Sequence, residues 1–248
     1  MIPDIWAACG GRAGFASLEG AVLRIVESQV QIATHRLVSS LEEQALLEEM
    51  LEAVKPPMAD GTADLHYLLA TPFRYPPLRH GSRFGRRHER GLYYGSLVST
   101  TLLAEAAYYR LVYWHGMAEP PAAPLTTQHT VFSARYTCRR GVRLQDLPFS
   151  EYRRELTDPA SYGATQQLGS AMREAGIEAF EFLSARDPAG GLNVALFNPA
   201  ALASRRPESS QQWLAATAGD RVGFYCHEEA PVRNYPISAF TVAGTLPM

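Results

Sequence analysis

Hydrophobic residues recur at the spacing of an α-helix near the start of the chain, at Leu18, Val22, Ile25, Val26, Val30, Ala33 and Leu37. This spacing places apolar side chains on one face and predicts a helix there. Ser40 followed by Glu43 is a capping-box pattern, which predicts that a second helix begins at this point. The second helix has its own apolar face, made of Leu41, Ala45, Leu46 or Leu47, Met50 and Val54. Together the two segments predict a helical hairpin.

Residues 55–62 contain Pro56, Pro57 and Gly61 and are typical of a linker. We therefore divide the chain into an N-terminal helical extension, residues 1–62, and a main domain, residues 63–248. The hairpin either covers the main domain or offers a surface for self-association or for a partner.

After the linker the pattern changes to short apolar stretches that mix strands and helices. Strands are predicted at residues 66–70, 91–95, 129–138, 179–184, 192–197, 221–227 and 240–242. One helix is predicted from a cap at Ser99 or Thr100 through Val112, and another from Tyr162 to Ala175 with Gly176 as its C-cap. Because strands and helices do not alternate regularly, the fold class we expect is α+β.

Composition excludes several classes of protein. Hydrophobic residues make up 46% of the 248 residues and the net charge is −2, so we expect a packed core and no nucleic-acid binding driven by bulk charge. The three cysteines, Cys9, Cys138 and Cys226, show no metal-site or disulfide spacing. No signal-peptide pattern and no apolar run of about 18 residues is present, so we expect a cytoplasmic protein that does not contact a membrane.

The basic residues are almost all arginine. Lys55 is the only lysine among 23 basic residues, which disfavours a lysine nucleophile or a phosphate-binding loop with its lysine. The chain also lacks the H-E-x-x-H, G-x-S-x-G and G-x-G-x-x-G motifs, and its seven histidines are scattered. We therefore expect no metal site and no hydrolase of the common triad type.

Four short segments carry polar residues in unusual settings. Arg74, Arg79 and Arg83 lie in a proline- and glycine-rich stretch, where they form either a solvated loop or a phosphate site, because guanidinium groups match phosphate oxygens. Glu105 interrupts an apolar helix pattern and is either at the helix edge or a buried functional acid.

The other two segments are strands. Tyr93 and Tyr94 lie in an aromatic strand between Gly91 and Gly95. Ser184 ends one strand and Asn193 begins the next, an arrangement that an ordinary hairpin would also produce.

Taken together, these segments resemble the RES domain, which is named for an arginine, a glutamate and a serine. The resemblance covers about residues 65 to 200 and is carried by Phe73-Arg74-Tyr75, Gly81-Ser82-Arg83-Phe84, Gly91-Leu92-Tyr93-Tyr94, Leu103-Ala104-Glu105-Ala106, Leu183-Ser184-Ala185-Arg186 and Leu192-Asn193-Val194-Ala195-Leu196-Phe197. Two features depart from the family. Many members have Gly-Gly-Arg-Trp-Asn around the central arginine, and many lack the N-terminal extension.

The resemblance implies a toxin of a bacterial toxin–antitoxin pair with a fold similar to the diphtheria-toxin type of ADP-ribosyltransferase. Such proteins use NAD as substrate and cleave its nicotinamide–ribose bond by hydrolysis or phosphorolysis, so water or inorganic phosphate is the acceptor. The implied partner is an antitoxin with a helix-turn-helix domain that covers the active site. Self-association stays open, and no direct contact with nucleic acid or membrane is implied.

The resemblance also implies roles for single residues. Glu105 would stabilise the oxocarbenium-like state, and Arg83, with Arg74, would hold the pyrophosphate or ribose. Tyr94 or Tyr93 would stack on the nicotinamide, and spacing alone favours Tyr94, with Tyr93 facing the core. Ser184 would orient Glu105 or the ribose, and Asn193 would support that strand end.

Two other functions stay open at this point. One is ADP-ribosyl transfer to a macromolecule, which is usually argued from an acidic residue two positions before the catalytic glutamate. Leu103 occupies that position here, which mildly favours water or phosphate as acceptor. The other is a non-enzymatic module whose arginines bind an acidic partner.

Overall fold

The computed structural model describes residues 3–11, 15–28, 37–77, 79–229 and 231–247. In these residues the helices are α1 (Ile5–Ala8), α2 (Leu41–Val54), α3 (Tyr67–Arg74), α4 (Ser99–His115), α5 (Arg153–Leu156) and α6 (Gly163–Glu174). The strands are β1 (Ala16–Glu27), β2 (Tyr93–Ser96), β3 (Leu125–Arg143), β4 (Ala179–Leu183), β5 (Leu192–Leu196), β6 (Ser209–Thr217), β7 (Arg221–Tyr225) and β8 (Arg233–Pro236).

The strands form one mixed sheet whose pairings close a cycle. β1 pairs with β2, β2 with β5, β5 with β4, β4 with β3, and β3 again with β1. Strands β6, β7 and β8 extend the sheet from β3. The β3–β4 pair is parallel, whereas the other pairs are antiparallel. The prediction of a mixed fold of helices and strands is confirmed at this level.

Helix α4 is the element that positions the candidate site. It packs against β1, β2, β6 and β7. Its side chains Leu103, Ala107 and Leu111 are fully buried, which fixes the rotation of the helix about its axis. Glu105 therefore points toward the edge where β2, β4 and β5 lie side by side.

The predicted first helix of the hairpin is wrong. Residues 16–27 form β1, which pairs with β3 from Ala16 opposite Gly141 to Glu27 opposite His129. Apolar residues four apart fit a strand as well as a helix, and the β-branched Val22 and Ile25 favour the strand. The predicted continuation through residues 29–36 lies outside the described residues.

The second predicted helix is confirmed as α2. Glu43 N–H donates to Ser40 Oγ at 3.1 Å, and Glu43 Oε2 accepts from Ser39 N–H at 2.7 Å. Its predicted apolar face does not cover the main domain, because Leu41 is 85% exposed and Val54 79% exposed. The division of the chain at residue 62 stays a prediction, and β1 belongs to the same sheet as the later strands.

Three smaller predictions also need correction. The strand predicted at residues 66–70 is instead the start of α3, because the ring of His66 accepts from Leu68 N–H at 3.3 Å and caps a helix. Val98, rather than Ser99 or Thr100, is the N-cap of α4. Phe240 follows a 3₁₀ turn at Ile237–Ala239 instead of beginning a strand. Strands β6 and β8 were not predicted.

Candidate active site

Glu105 on α4 accepts two hydrogen bonds at one carboxylate oxygen. Ser184 Oγ donates to Glu105 Oε1 at 2.6 Å, and Asn193 Nδ2 donates to the same oxygen at 2.8 Å. Both donors are buried, Ser184 at the end of β4 and Asn193 in β5. In the described part of the chain Oε2 of Glu105 has no hydrogen-bond partner, so this oxygen is available to a ligand.

The hydroxyl of Ser184 is fixed as a donor to Glu105. Its oxygen accepts the backbone N–H groups of Arg186 at 3.0 Å and Asp187 at 2.9 Å. Two N–H donors fill the acceptor positions of a hydroxyl, so its proton must point elsewhere, and Glu105 receives it. In this arrangement the Ser184 hydroxyl fixes the position of the Glu105 carboxylate.

The turn between β4 and β5 is joined to α4 by a second contact. Thr101 Oγ1 donates to Asp187 Oδ2 at 2.7 Å, and Gly191 N–H donates to the same oxygen at 3.3 Å. A Cβ at Gly191 would collide with Thr101 Oγ1, so glycine is required for this approach. The turn that holds Ser184 is therefore held against α4 at Glu105 and one helical turn before it, at Thr101.

Asn193 is itself oriented by a neighbour. Ser96 Oγ on β2 donates to Asn193 Oδ1 at 2.6 Å, and both residues are buried. Because the amide oxygen is engaged by Ser96, the amide nitrogen faces Glu105. The carboxylate is thus held by side chains from β2, β4 and β5.

Arg83 lies in the loop before β2 and is partly buried. Its Nη2 donates to the Leu156 carbonyl at 2.5 Å, and its guanidinium carbon lies 5.5 Å from the centre of the Tyr162 ring. Burial lowers the pKa of Arg83, and Tyr162 and Glu105 oppose that shift. Its Nε is buried without a hydrogen-bond partner among the described residues, so the side chain has a donor to offer a ligand.

The two tyrosines of β2 point to opposite sides of the sheet. Tyr94 lines the cavity in front of Glu105, and its hydroxyl accepts from Phe84 N–H at 3.1 Å and lies 3.0 Å from Ser82 Oγ. These contacts hold the two residues that flank Arg83. Tyr93 is fully buried in the hydrophobic core and does not line that cavity.

The cavity has a volume of about 300 Å³. The predicted residues that line it are Arg83, Tyr94, Glu105 and Asn193, and Ser184 contacts it through Glu105. Arg74 does not line it: its Nη1 is bonded to Glu52 Oε1 at 2.6 Å and its Nε to the Pro56 carbonyl. The structure therefore separates Arg74 from the group of residues around Glu105.

The residues that line this cavity and that the sequence analysis did not name as candidates include Arg24 on β1 and Tyr109 on α4. The guanidinium carbon of Arg24 lies 4.5 Å from the centre of the Tyr93 ring. Burial lowers the pKa of Arg24, with Tyr93 opposing the shift. The sequence does carry a signal for Arg24. Like Glu105, it is a charged residue within an apolar segment, between Leu23 and Ile25.

The arrangement combines one fixed carboxylate, two partly buried arginines and an aromatic wall. Such a site can stabilise developing positive charge at Glu105 and bind anionic groups at the arginines. In the described residues no group of three or more His, Cys, Asp or Glu side chains is placed to hold a metal ion. The described helices include none long and apolar enough to span a membrane.

Comparison with known proteins gives one family match and a structural match. The model of the RES domain matches residues 59–217. No curated protein matches the chain. Among solved structures, a chain of the crystal structure of the M. tuberculosis MbcT-MbcA toxin-antitoxin complex is similar, with a TM-score of 0.50 and 10% sequence identity over 86% of this chain and 93% of that chain. At this identity the likeness concerns the fold.

Proposed function

Since the chain belongs to the RES-domain family, we propose that it is the toxin of a toxin–antitoxin pair and degrades NAD by cleaving the nicotinamide–ribose bond. NAD is proposed as the substrate because of the resemblance to the RES family. The family match over residues 59–217 includes all of the residues that hold Glu105.

The observation that supports this proposal is the hydrogen bonding of the Glu105 carboxylate. Ser184 and Asn193 both donate to Oε1, and Oε2 remains available at the cavity. When the bond between the ribose carbon and the nicotinamide nitrogen breaks, its electron pair leaves with nicotinamide and the ribose becomes oxocarbenium-like. A fixed carboxylate stabilises that positive charge without having to reorganise. Nicotinamide leaves as a neutral molecule, so no general acid is needed.

The remaining residues bind and enclose the substrate. Arg83 offers its unpartnered Nε to a phosphate or ribose oxygen, and the Tyr94 ring offers an apolar wall to the nicotinamide. Water or inorganic phosphate then adds to the ribose carbon, giving ADP-ribose or ADP-ribose 1″-phosphate. With water as acceptor, one proton is released to solvent.

The proposal also includes a fold type and a partner. The closed cycle of five strands would be the diphtheria-toxin type of ADP-ribosyltransferase core. The similar fold found in a toxin–antitoxin complex supports an antitoxin partner for this chain. We expect that partner to carry a helix-turn-helix domain, to cover the Glu105 cavity, and to act in the cytoplasm.

Mass spectrometry of the products of NAD, with and without phosphate, tests the proposal. We expect release of nicotinamide with either ADP-ribose or its 1″-phosphate. Glu105→Gln should abolish this release, whereas Glu119→Gln, the same change at an exposed residue, should not. Full activity of Glu105→Gln would refute the assignment. Label from NAD that stays on macromolecules of a lysate would instead indicate ADP-ribosyl transfer.

A further inference from the structure

A second cavity, of about 680 Å³, lies beside the first and shares Arg24 with it. Its other charged lining residues are Glu52 and Lys55, at the end of α2, and Arg74, at the end of α3. The side chains of Tyr67 and Tyr75 also line it, and both are partly exposed. Arg24 therefore lies at the boundary between the two cavities.

This cavity is lined by three cationic side chains but by only one described carboxylate, Glu52, which pairs with two of them. Glu52 Oε1 is 2.6 Å from Arg74 Nη1, and Glu52 Oε2 is 2.8 Å from Lys55 Nζ. Arg24 makes no ion pair with a described carboxylate, and its buried Nε has no hydrogen-bond partner among the described residues. The cavity thus carries an excess of positive charge that suits a polyanion.

Most of this charge comes from outside the family match. Arg24, Glu52 and Lys55 precede residue 59, and only Arg74 lies within the matched residues. The cavity is therefore built largely by the N-terminal segment of this chain.

The first cavity, at about 300 Å³, is at the small end of ligand sites and is too small for a whole dinucleotide. We propose that the second cavity binds the adenosine diphosphate half of the substrate whose nicotinamide ribose lies beside Glu105. Without substrate, Glu52 is hydrogen-bonded to Arg74. When the substrate binds, one of its phosphates displaces Glu52 from Arg74. This inference rests on the proposed function, because it takes NAD as the ligand that spans both cavities.

The chemistry of the lining supports this assignment. A carboxylate and a phosphate are both oxyanions that accept hydrogen bonds from a guanidinium group, and Arg74 Nη1 donates to Glu52 Oε1 at the place where a phosphate oxygen would accept. Tyr67 and Tyr75 offer aromatic faces on which a base can stack. Arg24 would then bind the diphosphate at the point where it passes from one cavity to the other.

Calorimetric binding of ADP to the full chain tests this subsite without requiring catalysis. We expect ADP to bind, Arg74→Gln to weaken binding at least tenfold, and Glu52→Gln to tighten it several-fold by removing the competing carboxylate. Glu49→Gln is the matched control, because it makes the same change at an exposed position of α2 outside the cavity. If ADP does not bind, or if neither cavity variant differs from wild type, the subsite is wrong.

A second measurement separates this inference from the proposed function. The ratio of kcat/KM for NAD to that for nicotinamide mononucleotide, which lacks the adenosine half, should fall at least tenfold in Arg74→Gln. If wild type cleaves NAD but this ratio is unchanged, only the subsite fails. If ADP binds as expected but neither nucleotide is cleaved, only the proposed reaction fails. Should Arg74→Gln not fold, Arg74→Lys and Glu52→Gln provide the same comparison.

Discussion

Thr101 and Glu105 lie one helical turn apart on α4, and both are hydrogen-bonded to the turn that follows β4. Thr101 Oγ1 donates to Asp187 at 2.7 Å, and Glu105 accepts from Ser184 at 2.6 Å. Residues four apart on a helix share one face, so the two contacts join the same face of α4 to the same turn. The position of the Glu105 carboxylate relative to β4 is set by this pair of contacts.

Removing the Thr101 hydroxyl should therefore lower catalysis without greatly changing substrate binding. We expect Thr101→Val to reduce kcat roughly tenfold, as for loss of one hydrogen bond to a charged group, with KM changed less than twofold. Thr101→Ser should restore kcat because it restores the donor. Steady-state kinetics of nicotinamide release measures both constants. Thr100→Val, at an exposed position of α4, is the control; equal loss in both variants would contradict a specific role for Thr101.

Ser184 should be important but not indispensable. Its proton is donated to Glu105, so Ser184→Ala removes one of two donors to that carboxylate and should lower kcat by about 10- to 100-fold. A covalent nucleophile would leave no measurable turnover after the same change. Single-turnover measurement of nicotinamide release distinguishes these cases. Ser161→Ala, on the exposed surface, should behave as wild type.

The ring and the hydroxyl of Tyr94 should contribute to NAD binding in different ways. Tyr94→Phe keeps the cavity wall but loses the contacts to Ser82 and Phe84 that hold Arg83, so KM for NAD should rise roughly three- to tenfold. Tyr94→Ala should raise KM further. Tyr225→Phe, on β7, is the control.

The same tyrosine makes a second prediction about pH. Burial raises the pKa of Tyr94 to about 12, with the hydrogen bond to Ser82 opposing the shift. The hydroxyl therefore stays protonated below pH 10, and Tyr94→Phe should not change the shape of the pH–rate profile between pH 6 and 10. A basic limb that disappears in Tyr94→Phe would show that this expectation is wrong.

His129 on β3 makes stability depend on pH. Arg110 Nη1 donates to His129 Nε2 at 2.9 Å, which requires that nitrogen to be unprotonated. Burial, and then Arg110, lower the pKa of His129 to about 4. As pH falls below about 6.5, the unfolded chain binds a proton at this residue and the folded chain does not until about pH 4. Stability is therefore full above pH 6.5 and decreases between pH 6.5 and 4.

Urea denaturation at pH 7.5 and 5.0 measures this effect. We expect wild type to lose about 1–2 kcal/mol from His129, a figure reduced for partial solvent screening. His129→Gln should lose correspondingly less over the same interval, whereas His227→Gln, at an exposed residue, should match wild type. The same pH dependence in both variants would assign the effect to other groups.

The site was predictable from sequence where the polar residues stood out locally. Glu105 interrupts an apolar helix, and Ser184 and Asn193 lie at strand ends, so each carried a signal of its own. The local patterns alone do not predict a contact between Ser184 and Glu105, which only the family resemblance implied, because the two residues are 79 positions apart and meet only through the sheet. Arg24 was missed because its segment was assigned to a helix, in which it would have been a solvated charge.

Arg74 shows a different limit of sequence reasoning. Its residue type and its neighbours resemble the family motif, which implied contact with the ligand. The structure adds a contact that the motif does not imply, with Glu52, a residue of α2 that lies outside the family match. No property of residues 71–75 alone indicates that partner, because the contact depends on how α2 and Pro56 pack beside α3.

The pairing of β1 with β3 also has a consequence for when the protein can fold. Glu27, at the end of β1, lies opposite His129, about 100 residues later in the chain. At a synthesis rate of roughly 5–20 residues per second, β1 leaves the ribosome about 5–20 s before its partner strand. The cycle of strands cannot close in that interval, and Arg24 cannot take its place beside Glu105. A nascent chain therefore spends most of its synthesis without a complete site.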